Sequence, residues 1–216
     1  MNFLKPSSRD KVFSEYVSRY DAWYEKHPIL YKSELNLVSS LWKKGKTSLE
    51  IGVGTGRFAE PLGICFGLDP SFEMLKKAKE RGIKTVKGIG EKLPFLDCSF
   101  DSLLIAITIC FVEDPIRVLQ ESYRVLKPGG MIVIAFIDRN SPWGEYYSEK
   151  SSPFYKIARF FSVEEVEKML KKAGFKVIEK KQSLFLKPGE KEKLEDPIDG
   201  TGKGSFIGIS GEKPVN

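Results

Sequence analysis

Hydrophobic positions along this chain change their spacing repeatedly, and the changes mark out an alternation of helices and strands. Residues from about 11 to 44 carry an aromatic stripe at helical spacing, Phe13, Tyr16, Tyr20, Trp23 and Tyr24, with Pro28 placed to divide the stretch into two helices. Short apolar runs follow at Thr47 to Ile51, Ile64 to Leu68, Lys84 to Val86, Asp101 to Ile107 and Met131 to Ile137. The fourth is almost wholly apolar, as befits a strand covered on both faces. Between them Ser71 can cap a helix running to Arg81, with Gly82 as its stop, and Asp114-Pro115 opens a helix ending near Leu126. Strands alternating with helices through short connections predict a parallel sheet with helices on both faces.

The last third breaks this alternation. Ser162-x-x-Glu165 reads as a capping box with Phe161 as a staple, and Val163, Val166, Met169, Leu170 and Ala173 recur at helical spacing up to Gly174. Phe175 to Phe185 is long enough for a sixth strand. Lys187 to Lys203 is rich in charge, Pro and Gly and reads as a solvated loop, and Phe206 to Ser210 supplies a last strand. Two strands with no helix between them imply an antiparallel end to the sheet. The expected fold is a Rossmann-like, doubly wound α/β sheet of seven strands with its last strand antiparallel.

Between the first strand and the next helix lies Glu50-Ile-Gly52-Val53-Gly54-Thr55-Gly56. Glycines at alternate positions keep side chains off the main chain, where a ligand can approach, although such a turn can also serve only to reverse the chain. Asp69 ends the second strand, where an acid can accept both hydroxyls of a ribose. A dinucleotide site would favour Gly-x-Gly-x-x-Gly, and here the sixth position is Arg57. Glu50 places negative charge beside the loop, which suits the ammonium and sulfonium of S-adenosylmethionine better than a pyrophosphate.

Taken with further segments, these residues give a chain that resembles the class I S-adenosylmethionine-dependent methyltransferases, of the small-molecule type related to the ubiquinone and menaquinone methyltransferases. The segments are Leu68-Asp-Pro-Ser71, Gly90-Glu-Lys-Leu-Pro-Phe95 with Ser99-Phe-Asp101, Phe111-Val-Glu-Asp-Pro115, Arg124-Val-Leu-Lys-Pro-Gly-Gly130, and Phe161-Ser-Val-Glu-Glu165 leading to Ala173-Gly-Phe175. The resemblance spans roughly residues 45 to 180. It implies S-adenosylmethionine as cofactor, S-adenosylhomocysteine as product and a small-molecule methyl acceptor as partner.

The implied cofactor site comprises Glu50, Gly52, Val53, Gly54, Thr55, Gly56, Asp69, Pro70, Ser71, Met74, Ile89, Gly90, Glu91, Ala106 and Ile107. Bland readings stand beside several of these. Met74 can be core, and Glu91 can be a structural acid tying loops together. Ile89 stands where relatives often carry Asp, so it leaves adenine an apolar or main-chain contact. On the acceptor side the candidates are Tyr16, Tyr20, Trp23, Cys110, Phe111, Trp143 and Tyr147. They lie on an N-terminal helical cap (1–44), after the fourth strand, and on an insert from 138 to 160 that can act as a lid or simply pack. Cys110 reads best as a packed thiol, and His27, the only histidine, as a surface residue. No catalytic residue is assigned, because a sulfonium is already activated and alignment supplies much of the rate.

Composition narrows the rest. The net charge of +6 arises from 35 bases interspersed with 29 acids, a solvated surface more than a nucleic-acid stripe. Three cysteines without Cys-x-x-Cys spacing indicate neither a disulfide framework nor a metal site. No apolar run reaches the length of a membrane span, the first residues lack a signal peptide's apolar stretch, and the expected location is cytoplasmic. Few Gln, Asn and His beside abundant Lys and Glu point to a heat-adapted source. One domain is expected over 1–216. The competing functions are an RNA methyltransferase, a cofactor-binding regulator without turnover and, more distantly, an NAD-dependent oxidoreductase.

Overall fold

The computed structural model describes residues 8–215, so the start of the N-terminal cap, 1–7, lies outside the described residues. The aromatic stripe forms three helices, α1 (Ser8–Glu15), α2 (Val17–Lys26) and α3 (Pro28–Leu41). Pro28 opens α3 as the pattern predicts. The additional break falls at Tyr16, whose φ of −113° and ψ of 25° leave helical geometry without any Gly or Pro to announce it.

Four parallel strands follow within the first part of the sheet: β1 (Ser48–Ile51), β2 (Phe66–Asp69), β3 (Lys84–Lys87) and β4 (Phe100–Ala106), with α4 (Ala59–Leu62) and α5 (Phe72–Glu80) between them. Then come α6 (Pro115–Val125), β5 (Leu126–Ile137), α7 (Pro142–Glu149), a 3-10 turn (Tyr155–Ile157), α8 (Val163–Lys172), β6 (Lys176–Ser183), β7 (Ile198–Asp199) and β8 (Phe206–Glu212). Ser71, Asp114 and Ser162 cap their helices as the sequence marks, and Ser141, unmarked, caps α7. Asp114 accepts from the Arg117 N–H at 3.0 Å, and Ser162 and Glu165 complete a reciprocal box.

The sheet has eight strands, not seven, in the order β3-β2-β1-β4-β5-β8-β6-β7. The added one is Ile198–Asp199, which pairs antiparallel with Gln182 and Lys181 at the sheet edge. It lies inside the stretch expected to be a solvated loop. That stretch is also anchored by Glu195, which is buried and accepts from the N–H groups of Phe185 (2.6 Å) and Leu186 (3.3 Å), while its own N–H donates to Ser33. The antiparallel ending is as expected, with β8 set between β5 and β6.

Alternation in the central strands divides the core into two layers. Leu104, Ala106, Val133, Ala135 and Ile137 face α3, α4 and α5, whereas Leu103, Ile105, Ile132, Ile134 and Phe136 face α6 and α8. Strand order reverses between β1 and β4, so a crevice opens beyond their carboxyl ends. None of the helices among the described residues is long and apolar enough to cross a membrane.

Candidate functional site

The crevice at the β1/β4 switch is a single cavity of about 1100 Å³. Its floor is the glycine loop. Gly52 and Val53 both donate to the Leu68 carbonyl, at 2.7 and 3.0 Å, which ties the loop to β2. Gly52, Gly54 and Gly56 all hold positive φ, at 73°, 52° and 89°. Their roles differ. A Cβ on Gly52 would lie 2.2 Å from Thr108, and one on Gly56 would lie 2.5 Å from Ile83, so these two glycines permit packing. A Cβ on Gly54 would meet nothing closer than the Tyr20 hydroxyl at 3.3 Å, so its open side belongs to the cavity.

Asp69, at the end of β2, accepts from the Gly54 N–H through Oδ2 (3.0 Å) and from the Ser71 N–H through Oδ1 (2.9 Å). Asp69 also lines the cavity, at the edge of the space a ligand would fill. Ser71 is occupied as the cap of α5, accepting from Met74, and its hydroxyl meets that of Ser14 at 2.9 Å. Glu50 is buried, and its Oε2 has no hydrogen-bond partner. Burial, then the charge of Asp69, push its carboxyl well above the usual range against an opposing Ala59 N–H. An orphaned acceptor beside an open glycine is a fit for an ammonium group above the loop.

Of the sequence candidates, Gly52, Gly54, Asp69, Pro70, Met74, Ile89, Gly90, Glu91 and Ile107 line the cavity. Glu50, Val53, Thr55, Gly56, Ser71 and Ala106 stand behind that wall. Glu91 accepts from the N–H groups of Glu113 (2.8 Å) and Asp114 (3.3 Å), joining the loop after β3 to the start of α6. Ile107 follows β4 with φ at 52°, a strained conformation for a β-branched residue. Thr108, just beyond β4, donates to the Ala106 carbonyl at 2.9 Å and fills the space that Gly52 leaves.

The other half of the cavity is aromatic. Tyr20, Trp23, Cys110, Phe111 and Tyr147 line it, whereas Tyr16 and Trp143 do not. The Trp143 indole donates to the Leu186 carbonyl, and Tyr16 stacks edge-on against Phe154 of the insert. Phe154 also packs on Phe13 at 5.3 Å, so insert and N-terminal helices meet across the cavity. Two further wall residues are Tyr24, which belongs to the aromatic stripe but not to the expected acceptor set, and Glu34, which the pattern does not mark. Glu34 shares the buried face of α3 with Leu30, Leu37, Val38 and Leu41, and an acid on such a face is itself a signal.

Arg57, which defeats the dinucleotide pattern, ties α2 to the glycine loop. Asp21 on α2 accepts from Arg57 Nε (2.8 Å), Arg57 Nη2 (2.8 Å) and the Thr55 hydroxyl (2.8 Å), and Arg81 stands 3.4 Å away. Burial alone would raise the Asp21 carboxyl; the bonds from Arg57 and Thr55 and the charge of Arg81 outweigh it and hold it at about 2. An unfolded aspartate titrates near 3.9, so the folded value is lower and this clamp adds stability above about pH 4. That stability is lost as pH falls from about 4 to about 2. Asp21→Ala should cost about 1–3 kcal/mol near neutral pH, and its deficit should vanish in that acid window, as read by urea unfolding across pH. A deficit unchanged down to the bottom of the window would detach the clamp from the Asp21 charge.

The fold and this crevice define a nucleoside-cofactor enzyme built at the switch point of a doubly wound sheet. Residues 49–134 match the family model for a methyltransferase domain. The chain is 47% identical over 204 residues to an uncharacterized protein of Methanocaldococcus jannaschii, covering 94% of this chain and 98% of that one. It is 44% identical to a solved structure from Thermotoga maritima described as a SAM-dependent methyltransferase, "possible histamine N-methyltransferase", with a TM-score of 0.91 over 95% of this chain and 99% of the other. A demethylmenaquinone methyltransferase of Staphylococcus aureus is 29% identical over 199 residues, covering 84% and 79%. The chain belongs to the S-adenosylmethionine-dependent methyltransferases, and its cofactor is S-adenosylmethionine.

Proposed function

We propose that this chain methylates a small-molecule acceptor held in the aromatic half of the cavity. The observation that carries the reading is continuity: one space runs from Gly54 and Asp69 to Trp23, Tyr24 and Tyr147. Small-molecule clefts occupy about 300–1,000 Å³, so this one has room for a cofactor and a modest partner. In this reading the Gly54 main chain and the free oxygen of Glu50 hold the methionine end, Glu50 directly or through water. Asp69 takes the ribose hydroxyls, and Pro70, Met74 and Ile89 flank the adenine.

S-adenosylmethionine, when bound, supplies a methyl group already made electrophilic by its sulfonium. The chain's own residues orient and desolvate. Phe111 and Tyr147 confine the acceptor, and the meeting of Phe154 with Phe13 excludes water from above. The helices α1 and α2 and the insert of 138–160 thereby act as a lid.

Cys110 and His27 are spectators in this scheme. Cys110 is buried, with its thiol 3.6 Å from the Ile107 carbonyl, and His27 bonds Glu192 at 2.5 Å away from the cavity wall. Cys110→Ala and His27→Gln should each keep turnover within about tenfold, under about 1.4 kcal/mol of barrier. A loss near a thousandfold in a folded variant would assign that residue the proton transfer. The function itself is tested by incubating the protein with labelled donor and a metabolite extract, then identifying labelled products by mass spectrometry. Label in a small metabolite is expected; label confined to RNA, or none despite cofactor binding, would overturn it.

A further inference from the structure

Glu34 is the one cavity carboxylate outside the cofactor half that is fully removed from water, at 3% exposure among the described residues. Its Oε2 meets no hydrogen-bond partner, and Ser33 beside it, not Glu34, joins α3 to the C-terminal stretch. Burying an unpaired acid costs several kcal/mol, so a fold that needed only packing would place an apolar residue there. Sharing its cavity are Tyr24 on α2, Tyr147 on α7 and Tyr155 on the 3-10 turn, whose phenols the charge of Glu34 raises. Tyr147 and Tyr155 stack with centroids 4.5 Å apart, and Trp23 lies edge-on to Tyr24 at 5.2 Å. Aromatic rings lining one cavity with a buried carboxylate form a receptor for a cationic nitrogen.

The receptor also faces the right way. The Tyr24 hydroxyl meets that of Tyr20 at 2.9 Å, and the Tyr20 hydroxyl is the group nearest the open side of Gly54. A path of two phenols therefore links the glycine loop to Glu34. We propose that Glu34 binds the nitrogen of an amine acceptor and takes its proton before methyl transfer, an inference that rests on the methyl-transfer reading above.

The proton balance is definite. Burial, the sole cause acting on it, pushes the Glu34 carboxyl up to about 8, so resting Glu34 is a neutral acid. Entry of an ammonium group drives that proton to water and leaves an ion pair. The ammonium proton then moves to the carboxylate, freeing the nitrogen lone pair. The nitrogen–carbon bond forms as the methyl carbon–sulfur bond breaks, with that electron pair going to sulfur. The methylated ammonium departs, Glu34 is neutral again, and one proton has been released per turnover. The phenols of Tyr24, Tyr147 and Tyr155 do not compete for this proton in the neutral range, because burial raises all three.

The test begins by saturating the protein with S-adenosylhomocysteine, whose own heat of binding reports the cofactor site. That complex is then titrated with benzylamine, 2-phenylethylamine and hexylamine, and with 2-phenylethanol, 2-phenylethanethiol and 3-phenylpropanoate. At least one amine should bind with about one proton released, measured from the dependence of heat on buffer ionisation, and the neutral and anionic probes should bind at least about tenfold more weakly. Glu34→Gln should lose amine affinity by about thirtyfold or more and lose the proton release, while S-adenosylhomocysteine affinity stays within about threefold. With labelled donor, the bound amine should gain the methyl group. The inference is overturned if Glu34→Gln binds the amine normally, if the alcohol or thiol binds as well as the amine, or if no amine binds a complex that takes up S-adenosylhomocysteine. Absence of S-adenosylhomocysteine binding would instead remove the methyl-transfer reading and this inference with it.

Discussion

Gly54→Val is expected to weaken S-adenosylhomocysteine binding by about a hundredfold or more, close to 3 kcal/mol, while the protein stays folded. Two physical effects combine. The φ of 52° at Gly54 is poorly tolerated by a β-branched residue, at a cost of about 1–3 kcal/mol in stability. The added carbons would also project toward Tyr20 across the space assigned to the methionine end of the cofactor. Gly56→Val separates the two. Its side chain would run into Ile83 and Ala78 of the core, so it should lower stability more than Gly54→Val does. Calorimetry paired with thermal unfolding resolves binding from folding. A Gly54→Val protein that binds normally would place the ligand elsewhere.

Asp69→Ala should weaken the same ligand by about 1.5–3 kcal/mol, the scale for hydrogen bonds to a charged group. Part of that loss comes from the loop, since the Gly54 and Ser71 N–H groups would lose their acceptor. The ribose contribution is isolated by comparing adenosine with its 2′,3′-dideoxy analogue. Wild-type protein should prefer adenosine, and Asp69→Ala should bind the two almost equally. Discrimination that survives the substitution would mean that another group reads the sugar hydroxyls.

Wherever the local pattern is a direct consequence of burial or capping, the sequence shows it. The two-faced run Asp101 to Ile107, the Asp114-Pro115 start and the Ser162/Glu165 box all lie where expected, as does the reversed end of the sheet. The eighth strand left no such trace, because Ile198–Asp199 is two exposed residues whose pairing is made by the backbone. The alternate glycines read as one motif, yet their division between packing and access depends on Thr108 and Ile83, far away in sequence. Asp21 is similarly opaque. It is an ordinary helix acid until α2 lies against the glycine loop and Arg57. Glu34 was within reach, since it occupies a core position of α3, but a polar residue on an apolar face is noticed only if each face is read residue by residue.

One titration bears most directly on the cofactor assignment. Purified protein should give micromolar binding heat with S-adenosylmethionine or S-adenosylhomocysteine and none with NAD, because Gly54 and Glu50 suit an ammonium and sulfonium and Arg57 stands where a third dinucleotide glycine would be. Micromolar binding of NAD with no heat from S-adenosylmethionine would contradict the account at its centre.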